Sequence, residues 1–133
     1  RVARDIPGLS KGIDVCNESV LIIGCPGSGK TTLLRDLIRR QSDYSNGCVA
    51  VVDERGEVFP YYQNIPCFCI GKRTDVLSGC KKSQGIEMVL RCMGPRIIAV
   101  DEITAEEDGI ISEICVTNGQ VVEYGTELFR IKK

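Results

Sequence analysis

Val20-Leu21-Ile22-Ile23-Gly24-Cys25-Pro26-Gly27-Ser28-Gly29-Lys30-Thr31 is the stretch that decides the fold. From Gly24 to Thr31 it fits G-x-x-x-x-G-K-[ST] at every fixed position, the pattern of a P-loop. The spacing has a physical reason. Gly27 and Gly29 allow dihedrals that aim successive backbone N–H groups inward as an anion nest. The nest opens onto the start of the following helix, whose unpaired N–H groups and dipole favour negative charge. In such a loop Lys30 reaches the β- and γ-phosphates, and the Thr31 hydroxyl ligates magnesium. The expected phosphate-binding set is Gly24, Cys25, Pro26, Gly27, Ser28, Gly29, Lys30, Thr31 and Thr32. The competing reading is a Gly-rich turn between strand and helix with no ligand.

The flanking residues supply the context this motif needs. Val20 to Ile23 is a short continuous apolar run, the mark of a strand buried on both faces of a parallel sheet. A helical pattern runs from Lys30 to about Arg40, with Leu33, Leu34, Leu37 and Ile38 on one face. Arg35, Asp36, Arg39 and Arg40 lie elsewhere and are expected to form a solvated face. Cys48 to Val52 reads as a second buried strand and Ile97 to Val100 as a third. Between them, Ile86, Val89, Leu90 and Met93 recur at helical spacing over Lys81 to Met93. Phe59 to Gly79 is loop-rich, with a short strand expected at Cys67 to Ile70. Strand, helix, strand, helix, strand predicts a parallel α/β sheet.

Two strand ends carry acid. Ile97 to Val100 ends in Asp101-Glu102, and in P-loop enzymes an apolar strand delivers an Asp to the magnesium shell. Asp101 is expected in that shell, through a water. Glu102 is expected to polarise the water that attacks the γ-phosphate. Asp53-Glu54-Arg55 also ends a buried strand and should open on the same crevice. Glu54 is thus a rival for water activation, and Arg55 a candidate for the γ-phosphate. A charged turn explains that segment equally well.

Composition narrows the class. The chain has 133 residues, 26% charged and 43% apolar, which suits one soluble globular domain. Lys and Arg number 17 against 18 acidic residues, so no overall field favours nucleic acid or an anionic membrane. Eight cysteines would suit a secreted, disulfide-stapled fold. Against that, no signal peptide stands at Arg1, although such a start can be a trimmed end, and no apolar run is long enough to cross a membrane. There is no C-x-x-C pair and no histidine for a mixed zinc site. Cys48, Cys92 and Cys115 lie in apolar runs, where cysteine is expected to act as a small buried hydrophobe. The expectation is a reduced, cytosolic protein.

Arg1 to about Ile103 resembles the stage III sporulation protein AA family, ATPases of spore-forming bacteria related to secretion and AAA-type ATPases. The resemblance is carried by Ile22 through Leu37, by Val51-Val52-Asp53-Glu54-Arg55-Gly56-Glu57, and by Gly85-Ile86-Glu87-Met88. It continues through Leu90-Arg91-Cys92-Met93 to Val100-Asp101-Glu102-Ile103. It implies ATP as the nucleotide, hydrolysis with Mg2+, and coupling to a channel complex between mother cell and forespore. It also implies homo-oligomers and membrane-complex proteins as partners.

After Glu102 the pattern changes. Thr117-Asn118-Gly119 is a hairpin signal between Ile114-Cys115-Val116 and Val121-Val122, and Tyr124-Gly125 marks a turn before Leu128 to Ile131. Residues 104–133 are expected to form a short antiparallel β segment. Glu102 to Ile114 and Asn118 to Ile131 are similar to the second half of a biotin carboxyl carrier domain. That family carries biotin on a lysine four residues before the position of Glu102, where this chain has Ile98. A biotin carrier function is therefore rejected. Glu102-Ile103 belongs to both patterns, which reads either as a join of two truncated reading frames or as an unusual tail of the ATPase.

Such a join has a consequence. The resemblance implies a strand between the P-loop strand and the Asp101 strand that comes later in the family's sequence. Val20 to Ile23 and Ile97 to Val100 are then expected to lack the partner that pairs them. Three functions remain: an ATPase using Lys30, Thr31, Asp101 and Glu102; a module that binds nucleotide without turnover; and a non-enzymatic remnant. Binding is expected ahead of turnover.

Overall fold

The computed structural model describes residues 5–13, 15, 19–44, 46–102, 110–114 and 129–132. They divide into two compact units, Arg1–Asp101 and Glu102–Lys133.

In the first unit, helix α1 spans Lys30–Tyr44, strand β1 Val49–Asp53, and two short strands follow at Tyr61–Tyr62 (β2) and Ile65–Pro66 (β3). Strand β4 spans Thr74–Ser78, helix α2 Lys82–Cys92 and strand β5 Ile97–Val100. The principal sheet has three strands in the order β4-β1-β5. Both pairings are parallel, with Val51 opposite Val76 on one side and Ala99 on the other. β2 and β3 form a separate antiparallel pair.

A strand with neighbours on both sides and helices on both faces must be apolar throughout, and β1 is buried at all five positions. Alternation divides its side chains between two cores. Val49 and Val51 join Ile38, Val58 and Phe59, with Leu34, Phe68, Val76, Ile97 and Ala99 packed around them. Ala50 and Val52 join Val89 on the opposite face, with Leu77, Ile86, Ile98 and Val100. The unit is thus a three-layer α/β/α sandwich.

Contacts orient α1 against this sheet. Near its C-terminus, Ser42 Oγ accepts the Arg73 amide at 2.6 Å and Asp43 accepts the Lys72 amide at 2.9 Å, just before β4 begins. Toward its N-terminus, Arg35 donates to the Glu57 and Val58 carbonyls, just past the end of β1. The start of α1 therefore points to the edge of the sheet where the strands end. α2 begins at that same edge, because β4 runs into it through Gly79-Cys80-Lys81. Its other end is closed by Gly94, in the left-handed region at φ 53°, and by Pro95.

Several expectations are corrected here. Val20 to Ile23 belongs to no strand, and Ile23 is 73% exposed. A strand forms only where a neighbour takes up its backbone groups. β5 is hydrogen-bonded to β1 alone among the described residues, so no strand stands where 20–23 would pair. Cys67 to Ile70 is not a strand either; the β4 segment, read as loop, is one. Leu90 and Met93 are exposed, and α2 meets the sheet through Gly85, Ile86 and Val89 instead. Arg35 and Asp36 are buried rather than solvated. Gly8 and Ser10 of the N-terminal turn bond to Asp36, and the segment after β1 takes up Arg35. Cys48 and Cys92 are exposed rather than buried, since each stands at the border of its element. Cys115 and the expected hairpin at 117–122 lie outside the described residues.

The second unit contains β6, Ile110–Ile114, and β7, Phe129–Lys132, which pair antiparallel with an irregularity in register between Ile111 and Glu113. Together the units make a mixed α/β chain with a parallel three-stranded sheet and small antiparallel pairs. No helix among the described residues is long and apolar enough to cross a membrane.

Candidate functional site

The Gly-rich loop at 24–29 leads directly into α1. Gly27 and Gly29 have φ values of 76° and 96°, a region that side chains with a Cβ rarely occupy. Ser28 closes a turn by donating its amide to the Cys25 carbonyl at 3.1 Å. The first helical bond runs from the Leu33 amide to the Gly29 carbonyl at 2.9 Å. The amides of Lys30, Thr31 and Thr32 thus precede the helical ladder and carry its partial positive charge. No acidic residue occupies this first turn. Around Gly29 there is open space where a Cβ would be.

Lys30 turns back on the loop. Its Nζ donates to the carbonyls of Gly24 and Cys25, at 2.7 and 2.9 Å. The ammonium is exposed and held by main-chain oxygens, so an incoming anion meets it without first breaking a carboxylate ion pair. Gly24 through Gly29 and Thr31 are exposed, and Thr32 is half-buried.

α1 is fixed by two buried charges. Asp36 accepts from the Ser10 amide at 2.7 Å, the Ser10 hydroxyl at 2.6 Å and the Gly8 amide at 3.1 Å, and it pairs with Arg39. Burial pushes its carboxyl up, but the bonds from Ser10, Gly8 and Arg39 outweigh burial and hold it below its ordinary value. Arg40 also donates to the Ser10 carbonyl. On the other side, the Arg35 guanidinium lies 4.2 Å from the Phe68 ring centroid. Burial lowers the Arg35 pKa from its ordinary value, opposed by Asp5 and Asp53.

Asp53 ends β1 but does not open on the loop. Its buried carboxylate accepts the amides of Glu57, Val58 and Phe59, at 3.0, 3.1 and 2.9 Å, and so fixes the turn beyond the strand. Glu54 is half-buried and Arg55 exposed on that turn.

Asp101 stands one residue beyond β5, opposite the end of β1, with its amide 3.4 Å from the Val52 carbonyl. Its Oδ1 is buried and makes no hydrogen bond. Lys82, in the first turn of α2, brings Nζ to 3.5 Å from that oxygen. A buried carboxylate oxygen with acceptor capacity to spare suits a water bound to a hard cation such as magnesium. Glu102 follows and is exposed. The topology thus brings the start of α1, Asp53, Lys82 and Asp101 to one edge of the sheet. Lys82 was missed by sequence reasoning: Lys81-Lys82 before an amphipathic helix looks like a solvated pair, and only the absence of acid there hints otherwise.

Comparisons with known proteins cover most of the chain. Stage III sporulation protein AA of Bacillus subtilis (strain 168) is 45% identical over 94 residues, covering 68% of this chain and 31% of that protein. The uncharacterized protein ycf45 of Porphyra purpurea is 29% identical over 104 residues, 77% of this chain and 18% of its own length. The protein SEEDLING PLASTID DEVELOPMENT 1 of Arabidopsis thaliana is 32% identical over 125 residues, 90% of this chain and 18% of its own length. The chain therefore spans less than a third of each relative. No solved structure matches it. The family described as sporulation stage III, protein AA, matches residues 2–127, past the point where the likeness to a biotin carrier begins. The chain belongs to the sporulation stage III protein AA family.

Proposed function

We propose that residues 24–31 are a P-loop that binds ATP with Mg2+, and that the chain is the nucleotide-binding part of a sporulation stage III ATPase. One observation carries this reading: two left-handed glycines turn the loop into the start of α1 at the edge where the parallel strands end. The loop amides from Gly27 to Thr32 would hold the phosphates, and Lys30 would leave the Gly24 and Cys25 carbonyls for the β- and γ-oxygens. Thr31 and Asp101 would hold the metal, Asp101 through water. Bound there, magnesium would neutralise charge on the phosphates. Glu102 is the proposed base for water, with Glu54 as its rival. Family likeness supports a cytoplasmic role, peripheral to a membrane complex, with homo-oligomers and proteins of that complex as partners.

A second reading, binding without turnover, is favoured by the unpaired state of Val20 to Ile23. Hydrolysis demands the loop and the base within fractions of an ångström, and among the described residues no sheet strand leads into the loop. Phosphate release separates the two readings, since Glu102→Gln should abolish it while leaving binding intact.

Binding itself is tested by thermal unfolding with and without Mg·ATP. At a hundredfold the dissociation constant, the ligand should stabilise the chain by about 2.7 kcal/mol, several degrees in midpoint. Lys30→Ala should melt at the same temperature without ligand and show little shift with it. A midpoint that ignores Mg·ATP, or that moves equally in Lys30→Ala, would overturn the proposal.

A further inference from the structure

At the edge where the strands end, Lys82 breaks the local rule for its position. The first turn of a helix disfavours cations, yet α2 opens on this lysine, with no acid in its first turn and no side-chain bond capping it. The residue is also 4% exposed, and a buried ammonium costs desolvation unless it is paired. Its Nζ lies 3.5 Å from Asp101 Oδ1, and the Asp101 side chain is 10% exposed. That oxygen makes no hydrogen bond all the same. The pair therefore matches charge while leaving Oδ1 without a hydrogen bond.

We propose that Lys82 is a stand-in for the metal. Its ammonium neutralises Asp101, so that the site takes up a divalent cation only together with the phosphates of a nucleotide. The inference rests on the reading of Asp101 as part of the metal shell. A dication brought to Asp101 alone comes within a few ångströms of the ammonium and is repelled in a poorly solvated setting. A triphosphate supplies enough negative charge to satisfy both cations. Lys82 acts through Asp101, and is a positioning residue in that sense.

The experiment uses Mn2+ alone as the probe, with free Mn2+ followed by electron paramagnetic resonance on the purified, nucleotide-free chain. Lys82→Met should bind Mn2+ about tenfold more tightly than the wild type, or better, because the repelling charge is gone. Lys82→Gln, which is polar but uncharged, should show the same gain. Lys82→Arg should match the wild type, and Lys82→Met combined with Asp101→Asn should lose the gain. Unchanged or weaker Mn2+ binding in both neutral variants would overturn the inference. So would loss of cooperative unfolding in both while the double variant melts normally, since that marks a purely structural ion pair. The readout needs no nucleotide, so a chain that ignores Mg·ATP defeats the P-loop reading separately.

Discussion

Asp53 ends a strand that is buried on both faces, so its carboxylate has to find donors inside the protein. It takes them from Glu57, Val58 and Phe59, four to six residues onward. In sequence, Asp53-Glu54-Arg55 looks like a charged strand end facing a crevice, and the capping role depends on a turn that charge patterning does not encode. Asp36 is further out of reach of sequence reasoning. Its partner Ser10 is 26 residues away, and a helical pattern alone assigns Asp36 to water. The consequence is measurable. The folded-state pKa of Asp36 is depressed, so its contribution is present above the unfolded carboxylate value and is lost as pH falls through the lower folded value. Asp36→Asn should therefore be less stable by about 1–3 kcal/mol near neutral pH. The gap should close as pH falls below about 4, which urea unfolding across a pH series checks. A gap that widened in acid would contradict the assignment.

Elements were legible where burial imposed periodicity. β1, α2 and β5 emerge within a residue of their sequence positions, and α1 begins at Lys30 as read, because a continuous or helically spaced apolar pattern is the direct imprint of the faces a segment buries. β4 was not legible: Thr74, Asp75 and Ser78 are polar, and only Val76 and Leu77 reach the two cores. Edge strands need few apolar residues, so they leave a faint signal. Packing of α2 gives a sharper test. A Cβ on Gly85 would lie 2.6 Å from Val52 Cγ1 and 3.0 Å from Cys80 Sγ. Alanine is the better helix former by about 1 kcal/mol, yet overpacking typically costs about 1–3 kcal/mol. Gly85→Ala is therefore expected to be destabilising on balance, shown by a lower urea midpoint; a stabilised variant would mean that α2 shifts freely over the sheet. Strand β5 offers another. Ile97 and Asp101 donate to β1 at Cys48 and Val52, which turns the amides of Ile98 and Val100 to the opposite side, where no described strand accepts them. Hydrogen exchange should be fast at Ile98 and Val100 and slow at Val51. Protection at all three would require a partner along that edge.

For the whole molecule, the Gly24–Thr31 motif marked the candidate site, and the parallel order of three strands explains why that loop lies at the same edge as Asp101. The pairing of Lys82 with Asp101 could emerge only once β4, β1 and β5 were in register. Thiol positions across the first unit carry one more consequence. Six described cysteines are free: Cys80 is half-buried, while Cys25, Cys48, Cys67, Cys69 and Cys92 are exposed. Cys25 lies inside the loop, and the rest are spread over the ends and connections of other elements. The molecule thus carries its own chemical footprint. Brief alkylation read by mass spectrometry should slow at Cys25 when Mg·ATP is present. Cys48, Cys67, Cys69 and Cys92 would react at unchanged rates, as built-in references that distinguish a covered loop from a tightened fold.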